Sequence, residues 1–147
     1  MIKFETDEEK QMVMACLEVN MNEEYRATLQ YICHRISAQG KNNMMAEAFK
    51  TAALDEMAHI LYFSDMITKL GGEPIFTDWE IDKSTDMKTM LQKDIQLEKV
   101  AIKRYSDQLD KLKQYPELYS IIEGVLSDEE DHRDTFTDFL KHITPED

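Results

Sequence analysis

Asp55-Glu56-Met57-Ala58-His59 and Asp128-Glu129-Glu130-Asp131-His132 each place a glutamate three residues ahead of a histidine. On a helix, positions i and i+3 share a face about 5–6 Å apart, so both side chains can reach one ion. The two motif glutamates lie 73 residues apart, and two further glutamates, Glu24 and Glu98, lie 74 apart. Glu24 precedes Glu56 by 32 residues, and Glu98 precedes Glu129 by 31. The chain therefore repeats one unit twice: a lone Glu on one helix, then Glu-x-x-His on the next.

The composition agrees with a helical frame for that repeat. With 147 residues, the chain has the length of one domain and can bury a real core, so a single domain over residues 1–147 is expected. Four glycines and three prolines are too few for a strand-and-turn fold. Abundant Glu, Lys, Met, Leu and Ala favour long helices. Thirty acidic against 17 basic residues give a formal net charge of −13, which argues against direct binding of nucleic acid. Cys16 and Cys33 fall on one predicted helix about 25 Å apart, too far for a disulfide. Free thiols, no signal-peptide pattern and no apolar run near ~18 residues point to a soluble cytoplasmic protein that neither spans nor anchors in a membrane.

Four helices are expected. The first starts at Thr6, whose hydroxyl caps it while Glu9 completes a capping box, and ends near Gly40. Its inward stripe reads Val13, Leu17, Met21, Glu24, Thr28 and Tyr31. A short link turns the chain into an antiparallel second helix, about Asn42 to Leu70, with Met45, Phe49, Ala52, Glu56, His59, Phe63, Ile67 and Leu70 inward. The third helix spans about Ser84 to Gln114, its stripe running through Met87, Leu91, Ile95, Glu98, Ile102, Tyr105, Leu109 and Leu112. Pro116 opens the fourth, with Leu118, Ile122, Val125, Glu129, His132, Phe136 and Leu140 inward and fraying at Thr144-Pro145. Between the second and third helices, Gly71 to about Lys83 reaches roughly 43–47 Å when extended. A helix of about 29 residues is about 43 Å long, so this linker can run the height of the bundle and set the third helix parallel to the second. The fold expected is an all-α four-helix bundle with one long crossover, a tight-turn arrangement being the alternative.

Six ionisable groups sit in otherwise apolar stripes, each near mid-helix. An ionised carboxylate buried without partners costs several kcal/mol, so a core layer holding four of them needs neutralisation. Four carboxylates carry −4, neutral imidazoles nothing, and two divalent cations +4. Glu24, Glu56, His59, Glu98, Glu129 and His132 are therefore the expected metal ligands and catalytic residues. Glu24 pairs with His59 on one metal and Glu98 with His132 on the other, while Glu56 and Glu129 bridge. Oxygen-rich ligation with one imidazole per metal suits iron or manganese, and redox work favours two iron ions. Tyr31 can hydrogen-bond a bridging group or donate an electron. Asp55 and Asp128 have two readings, as surface salt-bridge partners or as acids that orient a His of a neighbouring helix. His34 and His142 are expected at the surface.

This constellation is the one found in di-iron and di-manganese carboxylate bundles. It resembles the ferritin-like superfamily, and bacterioferritin within it. Asn22-Glu23-Glu24 with Gln30-Tyr31 and His34, then Asp55-Glu56-Met57-x-His59, Leu97-Glu98 and Asp128-Glu129-Glu130-x-His132, match that family's segments in order. The resemblance implies oxidation of Fe²⁺ by O₂ or H₂O₂, in a homo-oligomer of at least two chains, often with storage of ferric mineral in a cage. Met57 matches the methionine that ligates haem in bacterioferritin dimers. Bacterioferritin continues into a short fifth helix, whereas this sequence stops 15 residues after His132, which counts against a 24-subunit cage and leaves an iron-storage cage as an alternative. Thr51 and Ala52 replace a His and a Glu of the family's inner surface. Rubrerythrin, a peroxide reductase, is the rival resemblance, but Ala101 stands where it has an extra Glu, and its Cys₄ domain is missing. A metal-free interaction bundle is the third class.

Overall fold

The computed structural model describes residues 2–143, so the expected fraying at Thr144-Pro145 lies outside the described residues. Four helices account for its regular structure: α1 (Asp7–Ala38), α2 (Asn43–Lys69), α3 (Met87–Lys111) and α4 (Pro116–His142). Three start on a side-chain cap. The Thr6 hydroxyl accepts from Glu9 N, the Asn42 amide from Met45 N, and the Asp86 carboxylate from Thr89 N. The Glu9 carboxylate reaches back to Glu5 N at 3.3 Å, one residue earlier than a capping box requires. Gly40 (φ 81°) and Gly71 (φ 86°) follow the ends of α1 and α2 in the left-handed conformation that stops a helix.

Cross-helix bonds fix the topology. Along α1, Asn20 and Glu24 pair with Gln108 and Tyr105 of α3, and the later Gln30 and Tyr31 with the earlier Asp94 and Glu98, so the two helices run antiparallel. The α1–α2 hairpin makes α2 antiparallel to α1 as well. Helices α2 and α3 are then parallel, and only a full-height crossover can join them. Leu70 to Asp86 is that crossover and contains no regular element. The ferritin-like four-helix bundle with one crossover is thus the observed fold.

The crossover is tied down rather than loose. Asn22 bonds Ile75 O and Thr77 N at 3.1 and 2.6 Å, and its own carbonyl accepts from Trp79 Nε1 at 2.9 Å. The Arg26 guanidinium lies 5.0 Å from the Trp79 ring centroid. Further along, Asp82 accepts from Lys93 at 2.6 Å and meets His34 Nε2 at 2.8 Å. His34 is wholly buried, against the expectation that it would be exposed. Its Nδ1 contacts the buried Asp94 at 2.5 Å, and Gln30 donates to the other Asp94 oxygen at 2.7 Å. Burial pulls the His34 pKa down, but Asp94 and Asp82 together raise it above its ordinary value. A lone histidine gives no sign of this, because its two acids come from elsewhere in the chain, Asp94 from α3 and Asp82 from the irregular crossover.

The inward stripes are as expected in α1 and α2. In α3, Ile102 and Leu109 are half-buried while Asp94 and Gln108 are buried, because this face meets polar groups of α1. Two apolar clusters fill the bundle. One holds Val13, Leu17, Phe63, Ile67, Ile122 and Val125; the other holds Met45, Phe49, Met90, Leu91, Ile95 and Phe136. A layer of acids and imidazoles separates them. Replacing His34→Leu leaves Asp94 buried without its partner, and removing one member of a buried charged pair costs about 3 kcal/mol. The expected outcome is a clearly lower midpoint in urea denaturation, whereas the exposed Lys50→Ala leaves the midpoint in place.

Candidate metal centre

Each helix delivers its charged residues from the middle of an apolar stripe. Glu24 comes from α1, Glu56 and His59 from α2, Glu98 from α3, and Glu129 with His132 from α4. All six are buried, His132 the most exposed at 6%. One donor atom from each of Glu24, Glu56, His59 and Glu129 falls in a group spanning at most 4.8 Å, and Glu56, Glu98, Glu129 and His132 form a second such group. Glu56 and Glu129 belong to both. His59 Nδ1 stands 3.4, 3.5 and 3.6 Å from oxygens of Glu24, Glu56 and Glu129. His132 Nδ1 stands 3.3, 3.6 and 3.6 Å from oxygens of Glu56, Glu98 and Glu129. The sequence repeat has become two adjoining donor sets with two shared carboxylates.

Groups around the cluster hold these side chains in place. His59 Nε2 meets Asp128 and His132 Nε2 meets Asp55, each at 2.8 Å across the α2–α4 contact. Both rings therefore turn Nδ1 inward. Of the two readings of Asp55 and Asp128, the structure has the orienting one. Tyr31 OH donates to Glu98 and Tyr105 OH to Glu24. Burial and neighbouring carboxylates push both phenols well above their ordinary pKa, so they remain donors. Tyr105, Asp94 and Arg104 are parts of this environment that sequence reasoning missed. Tyr105 had a signal, since it follows Glu98 by seven residues just as Tyr31 follows Glu24. Met57, matched to a haem ligand, sits 48% exposed on α2 and belongs to neither donor set.

The electrostatics of the layer oppose full ionisation of its four carboxylates. Burial, then the charge of Glu24, raises Glu56 well above the carboxylate range; burial and the charges of Glu24, Glu56 and Glu98 do the same to Glu129. Burial disfavours the His132 cation, but Glu98, Glu129 and Asp55 outweigh it and lift the pKa to about 10. One buried polar atom in each of the six residues has no hydrogen-bond partner: Glu24 Oε2, Glu56 Oε1, His59 Nδ1, Glu98 Oε2, Glu129 Oε1 and His132 Nδ1. Six orphaned donors on six converging side chains fit a pair of metal ions, because buried polar groups are otherwise satisfied. A cavity of about 650 Å³ leads outward from Glu24, Glu56, Glu98 and Glu129 between α1 and α3. Arg26, Gln30, Asp82, Lys93 and Arg104 also line it.

The fold and this cluster lead to a family. The model of the ferritin-like domain matches residues 14–144, and the chain belongs to that family. Among solved structures, the bacterioferritin of Desulfovibrio desulfuricans, described for its diiron site in different catalytic states, superposes with a TM-score of 0.85 at 24% identity. That likeness covers 92% of this chain and 82% of the other. A ferritin-like diiron-carboxylate protein from Bacillus anthracis gives 0.85 at 24% identity, over 92% and 99% of the two chains. The dodecameric thioferritin of Bacteroides fragilis, a bacterioferritin-related protein, gives 0.82 at 21% identity, over 90% and 86%. These likenesses show a shared fold. No curated protein sequence matches the chain.

No helix among the described residues is long and apolar enough to cross a membrane. The raised pKa values of Glu56, Glu129 and His132 have a measurable consequence. Metal must displace the protons on Glu56, Glu129 and His132, so binding releases protons and strengthens as pH rises. Titrating chelator-treated protein with Zn²⁺ in weak buffer should acidify the solution. The apparent affinity should fall as pH is lowered from 8 towards 6, roughly tenfold or more per unit if one or more protons leave.

Proposed function

We propose that the chain binds two iron ions through Glu24, Glu56, His59, Glu98, Glu129 and His132 and oxidises Fe²⁺ with O₂ or H₂O₂. The observation that supports this reading best is the set of six buried, unpartnered atoms on side chains that converge in one layer. Glu24 serves the ion beside His59, Glu98 the ion beside His132, and Glu56 with Glu129 serve both. Such a pair supplies two electrons together, which matches the two-electron reduction of H₂O₂ to water and the first two-electron step on O₂.

The remaining work belongs to the polypeptide. Asp55 and Asp128 hold the imidazoles in one tautomer and one orientation. Tyr31 and Tyr105 bond the terminal carboxylates Glu98 and Glu24, limiting their swing and placing a proton beside each donor set. The apolar clusters above and below keep water out of the layer except along the α1–α3 cavity. Ala101, buried on that cavity, offers no further carboxylate to the cluster, which favours iron oxidation over a rubrerythrin-like peroxide reductase. The exposed apolar residues Ile36, Leu54, Leu61 and Tyr62 support association into at least a dimer. The Bacteroides fragilis relative is itself a dodecamer.

Metal-free protein loaded anaerobically should take up two Fe²⁺ per chain and form ferric absorbance on mixing with O₂ or H₂O₂. Glu56→Ala or Glu129→Ala should abolish stoichiometric uptake, because each removes a donor from both sets. Glu24→Ala should lower the oxidation rate far more than the melting temperature. Asp128→Asn should weaken metal affinity about 10–100-fold. Uptake of no stoichiometric metal by the parent protein would overturn the reading.

A further inference from the structure

Helix α3 is the basic pole of an acidic molecule. Its cations are Lys88, Lys93, Lys99, Lys103, Arg104 and Lys111, and two of its four acids, Asp94 and Glu98, are buried. The chain as a whole has 17 basic and 30 acidic residues. Along the α1–α3 seam lies a groove of about 650 Å³ lined by Lys99, Lys103, Arg104 and Lys111. Its apolar part includes Val19 and Val100, 49% and 51% exposed. The one acid lining it, Asp107, is already bonded by Lys103 at 3.3 Å.

This groove adjoins the metal layer. Arg104 lines both it and the cavity that reaches the cluster. The Arg104 guanidinium lies 4.8 Å from the Tyr105 ring centroid, and Tyr105 donates to Glu24. Two side chains therefore separate the groove from a donor carboxylate.

We propose that the α1–α3 groove docks an acidic one-electron carrier protein, which returns electrons to the metal pair. The proposal rests on the iron-oxidation reading, since that chemistry leaves the pair trivalent, and returning the ions to the divalent state within the site requires a reductant. Charge selects the partner and the place. A molecule of net charge −13 repels an acidic protein over most of its surface, so the cationic strip sets where such a partner lands. Scale selects a protein over a small anion. Lys99 to Lys111 covers about 18 Å of helix, with apolar surface between the cations, whereas a single phosphate or carboxylate fills only one cation's reach. Each encounter exchanges one electron. The carrier is oxidised by one electron, one trivalent ion becomes divalent, no atoms are transferred, and two encounters reset the pair.

The test uses flavodoxin as the acidic carrier and begins with metal-free protein. Dye-labelled flavodoxin is titrated by fluorescence anisotropy with the parent chain, with Lys99→Glu, Lys103→Glu and Lys111→Glu combined, and with Lys41→Glu, Lys50→Glu and Lys69→Glu combined as a control of equal net charge. The groove triple should bind about tenfold or more weakly, the control should stay near the parent, and high salt should weaken the parent towards the groove triple. In iron-loaded protein, reduced flavodoxin should reduce the groove triple at least tenfold more slowly, while dithionite, a small reductant that needs no docking, should reduce all three alike. Equal loss in both triples, or none, overturns the proposal. So does a groove triple that changes only the self-association seen by light scattering, which would make the groove a contact between copies. If binding discriminates as expected but no protein takes up iron, the iron-oxidation reading fails while the docking surface stands.

Discussion

Four carboxylates crowded into one buried layer dominate the construction of this protein. In water such groups repel weakly and stay hydrated. Between two apolar clusters they lose most of their hydration, so burial and mutual repulsion push Glu56 and Glu129 towards their neutral forms. The helices converge on this layer instead of avoiding it. Every neighbouring side chain then acts as a support: aspartates on the outer nitrogens of the imidazoles, phenols on the terminal carboxylates, and aliphatic and aromatic packing above and below. Positive charge shared between the two donor sets would relieve the cost of that layer.

The supports follow the internal repeat and then depart from it. Tyr31 and Tyr105 occupy equivalent places, each bonding the lone glutamate of the opposite unit. Outside Tyr31 stand Asp94 and His34; outside Tyr105 stand Arg104, Asn20 and Gln108. Tyr31 therefore lies in an anionic setting, whereas the charge of Arg104 opposes that of Glu24 on Tyr105. The two halves present the same donors to the centre and different electrostatics to the outside. The basic groove lies on the Arg104 side, and the anchored crossover on the His34 side.

Much of this was legible in the residues because the constraint is periodic. Glu24, Glu56, His59, Glu98, Glu129 and His132 stand out only when the 3.6-residue stripe and the repeat interval are read together, and both survive in a linear sequence. The ends of α1 and α2 and the start of α4 were equally readable, since Thr6, Asn42, Pro116, Gly40 and Gly71 act within one turn of the chain, whereas α3, expected over about Ser84 to Gln114, runs only Met87–Lys111 behind the Asp86 cap. What escaped was non-local. The burial of His34 depends on Asp94, 60 residues on, and on Asp82 from a segment with no period at all. Asp55 and Asp128 look like ordinary surface acids until α2 and α4 are placed side by side. Gln108 replaced Leu109 on the inward face because its amide pairs with Asn20, a preference that lies in the partner helix.

The parallel course of α2 and α3 makes the molecule two like hairpins, α1 with α2 and α3 with α4, strapped together by the crossover. Each hairpin holds one terminal carboxylate, one shared carboxylate and one imidazole. The strap contributes nothing to the donor sets; it fixes which two hairpins meet and in what proportion. A half-length chain folding as one such hairpin already encodes half of every requirement of the central layer, so pairing two identical copies completes it. The architecture is in that sense a dimer written as a single polypeptide, and one continuous chain lets its two outer flanks carry different electrostatic characters, which two identical copies could not.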